Sequence, residues 1–205
     1  ITFFSLVAIL GSVSVMLLIT VNHFNNQYNQ ILNNIVLANT MPDLLNTIPS
    51  SLENAYKSNS TFNSSEHKEK LNLVKKNIDT IEKNTKSDKV KYNINLIKEH
   101  IASIEERIQS SEENLQDSGL IQENIKYIQS LIPFFIEPEK NALISNELKN
   151  GEYLREEIEI EYKIISLIGV IALLISIIGS GLAIAIISSN INRSIKDISR
   201  NTEAI

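Results

Sequence analysis

The sequence contains no cysteine and no tryptophan, and only six glycines and four prolines occur in its 205 residues. Without cysteine, the chain can form neither a disulfide nor a thiolate zinc site, and it has no cysteine nucleophile. The scarcity of glycine and proline argues against a turn-rich β fold. These absences indicate a protein whose stability comes from the packing of helices.

Charged side chains are also absent from two long stretches. Residues 1–21 and 164–189 are predominantly apolar and contain no Asp, Glu, Lys or Arg. About 20 such residues, rising ~1.5 Å each, are enough to cross the ~30 Å hydrocarbon layer of a membrane. The rival interpretations are a cleaved signal peptide for the first stretch and a buried core helix for the second. Because the first is long and no small-residue cleavage motif follows it, and the second is longer still, we predict two transmembrane helices.

Basic residues are distributed unevenly around these two stretches. None occurs between Val21 and Lys57, whereas three follow the second stretch closely. These three are Arg193, Lys196 and Arg200. Lysine and arginine are enriched on the cytoplasmic side of membrane helices. We therefore predict a multi-pass protein of the cell (inner or cytoplasmic) membrane, in contact with lipid, with residues 22–163 outside and residues 190–205 in the cytoplasm.

Apolar residues of the middle segment recur every three or four positions, which is typical of amphipathic helices that pack along a narrow seam. The stripes are Phe24, Tyr28, Ile31, Ile35 and Ala38; Leu71, Val74, Ile78 and Ile81; Val90, Ile94, Ile97, Ile101, Ile104 and Ile108; and Ile121, Ile125, Ile128 and Ile132. This pattern predicts an all-α protein in which two transmembrane helices flank an antiparallel four-helix bundle.

The boundaries of these helices are indicated by polar residues. The predicted helices cover residues 22–57, 66–85, 88–116 and 119–163. The polar residues between them are 58–65, Lys86–Asp88 and Asp117–Gly119. We expect Gly119 to adopt the left-handed conformation that often follows the end of a helix.

The second apolar stretch is followed by the segment NINRSIKDISRNTEAI. Its apolar positions have the 4, 3, 4, 3 spacing of a coiled-coil seam. They are Ile191, Ile195, Ile198, Thr202 and Ile205. The segment resembles the first helix of a HAMP domain, a parallel four-helix coiled coil that a dimer forms in chemoreceptors and sensor histidine kinases. That family usually has proline immediately before the apolar residue at the place of Ile195, whereas this chain has Ser194. The resemblance implies that the five apolar residues form a core that transmits a signal.

The whole layout, a span, outer helices, a second span and a HAMP start, resembles the sensor module of methyl-accepting chemotaxis proteins. The resemblance implies a homodimeric receptor for a small-molecule ligand or a ligand-binding protein, with cytoplasmic signalling partners that act through a region beyond residue 205. The chain begins with Ile1 rather than Met, and we expect it to be a fragment of a longer protein. The arginines with which amino-acid receptors of this family clamp their ligand have no counterpart here, because the first arginine of the chain is Arg107.

Two other interpretations of this layout stay open. The same module could be the input half of a sensor histidine kinase, in which case the full protein would be an enzyme. A structural or pore-forming helical membrane protein is the third possibility, although it would leave the coiled-coil seam after the second span unexplained. Small residues four apart in that span favour close packing with a second copy. They are Ser176 and Ser180, Gly179 and Ala183, and Gly181 and Ala185.

No motif in the sequence predicts catalysis, a cofactor, a metal or nucleic-acid binding. His23, His67 and His100 lack the spacing of metal ligands, and each is predicted to lie on the surface. Adjacent acidic residues point in different directions from a helix and cannot work as an acid–base pair. There is no basic stripe for nucleic acid. We therefore predict that this segment has no enzymatic activity and binds no cofactor or metal.

The four prolines suggest a place for a ligand. Pro42 and Pro49 fall in the first predicted outer helix, and Pro133 and Pro138 fall in the last. Proline inside a helix removes a hydrogen bond and kinks or breaks it. Counted outward at ~1.5 Å per residue, both pairs lie roughly 30 to 45 Å above the membrane. The alternative is that these prolines only bend the helices around a core.

We predict a ligand site between the two breaks, with a mostly acidic rim that favours a cationic or polar ligand. Its candidate residues are Asp43, Tyr56, Phe134, Phe135, Glu137, Glu139 and Lys140.

Overall fold

The computed structural model of the chain describes residues 2–57, 64–114 and 116–202, and these are almost entirely helical. The helices are α1 (Thr2–Lys57), α2 (Ser64–Asn84), α3 (Asp88–Glu113), α4 (Ser118–Leu131) and α5 (Glu137–Thr202), with a π-helical segment (Ile132–Ile136) between the last two. No strand occurs in these three ranges. The predicted all-α class is therefore confirmed.

The chain divides into two compact units. The first comprises Ile1–Phe24 and Glu156–Ile205, and the second is Asn25–Arg155. In the first unit, α1 and α5 each contain an apolar window that is long enough to cross a membrane by length and composition. None of the residues of either window is buried. A core helix of a soluble protein would be covered by its own chain, so these windows have the exposure expected of helices that face lipid.

The core of the second unit contains the apolar seams predicted for α2, α3 and α4, whereas of the stripe predicted for α1 only Ala38 is buried and Tyr28 is 40% exposed. Along α2, Leu71, Val74, Ile78 and Ile81 are at most 1% exposed, and all six seam residues of α3 are buried to the same degree. The seam of α4 continues through Ile132 and is at most 6% exposed. The first helix contributes Ala38, Met41, Leu45, Ile48 and Leu52. The periodic prediction of a buried face is thus confirmed for α2, α3 and α4.

Two helix starts are fixed by side-chain caps. The hydroxyl of Ser87 accepts a hydrogen bond from the backbone N–H of Val90 (3.5 Å). The carboxylate of Asp117 accepts from the N–H groups of Gly119 and Leu120, both at 3.0 Å. Such caps satisfy N–H groups that have no partner in the first turn. Gly119 is therefore a residue of the first turn of α4, and the prediction that it follows the end of α3 in a left-handed conformation is wrong.

Ion pairs between α2 and α3 show that these helices are antiparallel. Lys68 pairs with Glu112 (3.1 Å), Lys75 with Glu105 (2.6 Å) and Glu82 with Lys98 (2.7 Å). The partners advance by seven residues along α2 and recede by seven along α3. Exposed pairs of this kind contribute only ~0–1 kcal/mol each. Their regular spacing nevertheless favours one alignment of the two helices.

The other helix pairs have an equally consistent alignment. Between α1 and α2, the side chain of Asn77 donates to Thr40 and that of Lys70 donates to Thr47, both at 3.1 Å. Further pairs connect α3 to α4 and α5, and α1 to α5. These pairs are Asn124 with Ser111 (3.0 Å), Asn93 with Glu139 (2.6 Å) and Asn34 with Glu147 (2.8 Å). Each connection runs between antiparallel segments.

The prolines do not divide α1. Pro42 and Pro49 are both buried inside a helix that continues from Thr2 to Lys57. A proline inside a helix destabilises it by ~3 kcal/mol, whereas the burial of each large apolar side chain nearby stabilises the fold by ~1.5–3 kcal/mol. Met41, Leu45 and Ile48 are completely buried around the two prolines. The predicted break in the first outer helix is therefore wrong, because packing on both sides holds the helix together.

The chain does depart from an α-helix at Pro133. Residues Ile132–Ile136 form a π-helical segment, in which the backbone N–H of Glu137 bonds to the carbonyl of Ile132. A wider turn accommodates the ring and the missing donor of a proline without ending the helix. Pro138 is the second residue of α5, an early position at which proline is tolerated. The single predicted helix over 119–163 is thus two α-helices joined by a π turn.

Candidate functional site

The predicted ligand site concerns the level of the prolines, which lie in α1, in the π segment and at the start of α5. The bond between Asn34 and Glu147 aligns these two helices. Eight residues further along α1 is Pro42, and eight residues back along α5 is Glu139. At this alignment Pro49 is level with Ile132, the first residue of the π segment. The two proline-bearing regions thus share a level of the second unit.

The candidate residues differ in their surroundings. Phe134 and Phe135 are 73% and 51% exposed, and Asp43 is also on the surface. Tyr56 packs partly against the hydrophobic core. It is seven residues beyond Pro49, or about 10 Å farther along the helix axis. Four of the seven candidates are thus either exposed or displaced along the helix axis, and they do not form the wall of a single closed pocket.

Two of the candidates, Glu139 and Phe135, contact α3. Glu139 accepts a hydrogen bond from Asn93 (2.6 Å), and Asn93 in turn accepts from Asn146 (3.1 Å). The ring of Phe135 lies 5.5 Å from the ring of His100. Glu137 and Lys140 are half-buried on the same turn. The π segment and the start of α5 are therefore attached to α3 by one amide–carboxylate pair and one aromatic contact.

A second polar cluster connects α3 to α4. The guanidinium of Arg107 donates to the side-chain carbonyl of Asn124 (3.0 Å) and lies 4.5 Å from the centre of the Tyr127 ring. The amide of Asn124 donates to the hydroxyl of Ser111 (3.0 Å), and both residues are completely buried. Polar groups removed from water need such partners. The polar groups of this cluster are hydrogen-bonded to one another, and the cluster is suited to holding α3 and α4 together.

A groove between α2 and α3 has a volume of about 300 Å³. Ile78 and Ile101 form its floor. Its rim carries the Lys75–Glu105 ion pair on one side and, on the other, Lys98, which lies 2.7 Å from Glu82 and 3.3 Å from Asp79. The hydrogen bond to Glu82 raises the pKa of Lys98. The groove contains none of the residues predicted from the prolines, and periodicity alone gives no signal for it.

His67 contradicts its prediction as a surface residue, since it is only 1% exposed. Burial lowers the pKa of His67 below its usual 6.5; Lys70 acts in the same direction, whereas Glu66 and Glu112 oppose it. One carboxylate oxygen of Glu112 is buried and accepts no hydrogen bond from the described part of the chain. Burial therefore favours the neutral form of the imidazole at the start of α2.

We expect His67 to make the stability of the second unit depend on pH. Because its pKa is lower in the folded state, the unfolded chain binds a proton first as the pH falls. The stability contributed by the neutral imidazole is complete above about pH 6.5 and is lost progressively below it. The thermal midpoint should therefore fall less between pH 7.5 and pH 5.5 in His67→Gln than in the unchanged chain.

His100→Gln is the matched control, because it removes a half-buried histidine from the neighbouring helix. Circular dichroism of the three proteins at several pH values gives the comparison. Equal pH slopes for His67→Gln and His100→Gln would contradict the role assigned to burial.

Several polar contacts of the second unit join one helix to another. In the ranges covered by the structure, no group of three or more His, Cys, Asp or Glu side chains could hold a metal ion. The polar residues Asn34, Asn93 and Asn124 are not predicted from the sequence, although each directly precedes a residue of a predicted helix seam. No protein-family model matches this chain, and no curated protein or solved structure is similar to it.

Proposed function

We propose that this chain is the ligand-sensing input module of a transmembrane signal receptor of the chemoreceptor type. In this proposal residues 22–163 are a sensor domain outside the cytoplasmic membrane, and residues 1–21 and 164–189 are its two membrane spans. Residues 190–205 begin a HAMP coiled coil in the cytoplasm. The module passes a conformational change from the sensor domain through the second span.

The observation that carries the proposal is the continuity of α5. This helix runs without interruption from Glu137 to Thr202. It includes the polar contacts with α1 and α3, the uncharged apolar stretch and the start of the coiled-coil seam. An α-helix is stiff over such a length, so a shift or rotation at one end is carried to the other. A protein that only anchors a soluble domain would not need this uninterrupted connection.

The arrangement of the outer helices supports a sensor of the four-helix-bundle type. Hydrogen bonds and ion pairs connect α1 with α2, α2 with α3, α3 with α4 and α5, and α5 with α1. Every connection is antiparallel, and together they close a ring of four. Ligand sites in bundles are formed between facing helices. We propose that the ligand acts at the level of Pro42 and Glu139, where α1 and α5 are held together.

The exposure of the cytoplasmic seam supports a homodimer. Ile191 and Ile195 are 53% and 58% exposed in the single chain. The side chains of Ile198 and Thr202, and the whole of Ile205, lie outside the described residues. Apolar residues at coiled-coil spacing are buried when a second copy packs against them. The small residues from Ser176 to Ala185 would let the same two copies approach within the membrane.

The alternative proposal is that the chain is the input domain of a two-component sensor histidine kinase. The region after residue 205 distinguishes the two classes: a long helical hairpin with heptads for a chemoreceptor, or a phosphoacceptor histidine and a nucleotide-binding domain for a kinase. The proposal for this segment is the same in both cases. Its own chemistry is binding and transmission.

Membrane topology tests the proposal most directly, and the absence of cysteine makes single-cysteine labelling clean. Ser130→Cys and Ser194→Cys are matched variants, since both replace an exposed serine on a helix. A membrane-impermeant maleimide added to intact cells should label position 130 fully. It should label position 194 only after the membrane is permeabilised. Labelling of both positions from the same side would exclude a receptor of this orientation.

A further inference from the structure

The contact between α1 and α5 contains a buried carboxylate. Glu147 and Asn34 are each 1% exposed. The amide of Asn34 donates to one oxygen of Glu147 (2.8 Å), and the amide of Asn150 donates to the other (3.2 Å). None of the ion pairs within the described ranges involves Glu147. Neutral amides alone therefore hold this carboxylate among the core residues.

The carboxylate determines the direction of the whole network. Both oxygens of Glu147 accept hydrogen bonds, so the two neighbouring amides turn their NH₂ groups towards it. The carbonyl oxygen of Asn34 then faces α2, where it accepts from the amide of Asn84 (3.2 Å). Three helices thus meet in one continuous chain of hydrogen bonds.

Such a group is a poor source of stability. Taking a charge out of water costs several kcal/mol, and hydrogen bonds only offset that cost. Replacing a buried polar pair by apolar side chains of similar size is often neutral or stabilising. The best-attested benefit of a buried polar group is that it selects one alignment of two helices.

The apolar surroundings make such a selection necessary. Ile31, Ile35 and Ala38 repeat along the same side of α1. One turn of sliding, about 5.4 Å, would replace one apolar contact by another at small cost. A slide of four residues in one direction would put Ala38 opposite Glu147 in place of Asn34. Ala38 cannot donate a hydrogen bond, and the carboxylate would be left buried with an unmet acceptor. A slide in the other direction would bring Gln30, whose amide can donate, so the pair acts against the first slide, the one that brings Ile35 opposite Gly151.

We propose that Asn34 and Glu147 form a register lock, a buried donor–acceptor pair that fixes the axial position of α5 against α1 and adds little net stability. The register lock is a property of the contact between α1 and α5, and its existence does not depend on whether the chain is a receptor. It assigns Asn34 and Glu147 a positioning role. They hold the relative height of the two helices that continue into the apolar stretches.

Cysteine cross-linking measures this register. A Cβ added at Gly151 would lie 3.8 Å from the Tyr28 ring and 3.9 Å from the Ile31 side chain, which leaves room for cysteine. Gly151→Cys combined with Ile31→Cys therefore reports the native register. Gly151→Cys combined with Gln27→Cys or Ile35→Cys reports a slide of one turn in either direction. All three pairs are placed in the full 205-residue chain in membranes.

The test variant is Asn34→Leu with Glu147→Leu, which removes donor and acceptor together. A hydrogen bond to a charged group is worth enough to change the ratio of two registers about tenfold. We expect the slipped-register cross-link through position 35 to increase about tenfold relative to the native one. The thermal midpoint should change little, because the amides of Asn84 and Asn150, which each lose an acceptor, are only half-buried. Asn33→Leu with Glu152→Leu, the same exchange at exposed positions of the same helices, should give the native cross-link alone.

Two results would overturn the lock. If the double variant of the buried pair still cross-links only through position 31, other contacts fix the register. If that variant fails to fold, the pair supplies essential stability, which the lock denies. The single substitution Glu147→Leu is less informative, because it leaves the amide of Asn34 buried without an acceptor.

Discussion

Ile104→Asp should unfold the second unit. Ile104 is completely buried in the middle of α3, within the longest apolar seam of the chain. The substitution removes the hydrophobic contribution of this side chain, ~1.5–3 kcal/mol, and puts an unpaired carboxylate among isoleucines. The combined cost of about 4 kcal/mol or more is comparable to the whole stability of an ordinary domain. We expect the cooperative thermal transition to disappear and a protease added outside to cleave residues 25–155 rapidly.

Tyr92→Asp is the matched control on the same helix. The side chain of Tyr92 is 64% exposed, so the same acidic residue is introduced where water solvates it. Substitutions at such positions usually change stability by no more than about 0.5 kcal/mol. A thermal transition in Ile104→Asp as sharp as that of Tyr92→Asp would mean that α3 does not pack through this seam.

The seams could be predicted because hydrophobic burial acts on the periodicity of a sequence. The six apolar residues of α3 recur at the helical period, and no other arrangement removes all of them from water at once. The same reasoning fails for His67, Asn34 and Glu147. Each is polar and is expected on an exposed face, yet each is buried. Their burial depends on which residues of a distant segment face them, and local periodicity contains no information about such partners.

Local signals with two meanings are the other source of error. Glycine after Asp117 and Ser118 is compatible with the end of one helix or the first turn of the next. The capping bonds from Asp117 select the second. Proline inside a helix predicts a break only when packing does not compensate for it. At Pro42 the core compensates, whereas at Pro133 the backbone widens into a π turn. The predicted ligand site depends on breaks in both helices. The α-helix is interrupted only near the start of α5, so the argument from broken helices applies only to that side of the site.

The substitution Ile195→Asp distinguishes a dimeric coiled coil from a single exposed helix. In one chain the side chain of Ile195 is 58% exposed, and an aspartate there should be almost without effect. In the proposed HAMP core, each copy would bury this carboxylate against the other. Buried unpaired charges of this kind cost several kcal/mol each, so the two copies should separate along the seam. The dimer therefore predicts a severe effect at the position where the isolated helix predicts none.

The measurement is a disulfide between two copies, formed by Ile191→Cys on the same seam. We expect Ile195→Asp to reduce its yield at least about tenfold, which corresponds to a loss of ~1.4 kcal/mol or more in the association of the two helices. Asn192→Asp is the control, because it adds the same charge one position from Ile191, off the seam. In the proposed receptor, Ile195→Asp should also hold the output in one state, while the second unit stays folded. If both aspartate variants leave the cross-link unchanged, Ile195 stays exposed in the assembled protein and the HAMP-type core is wrong.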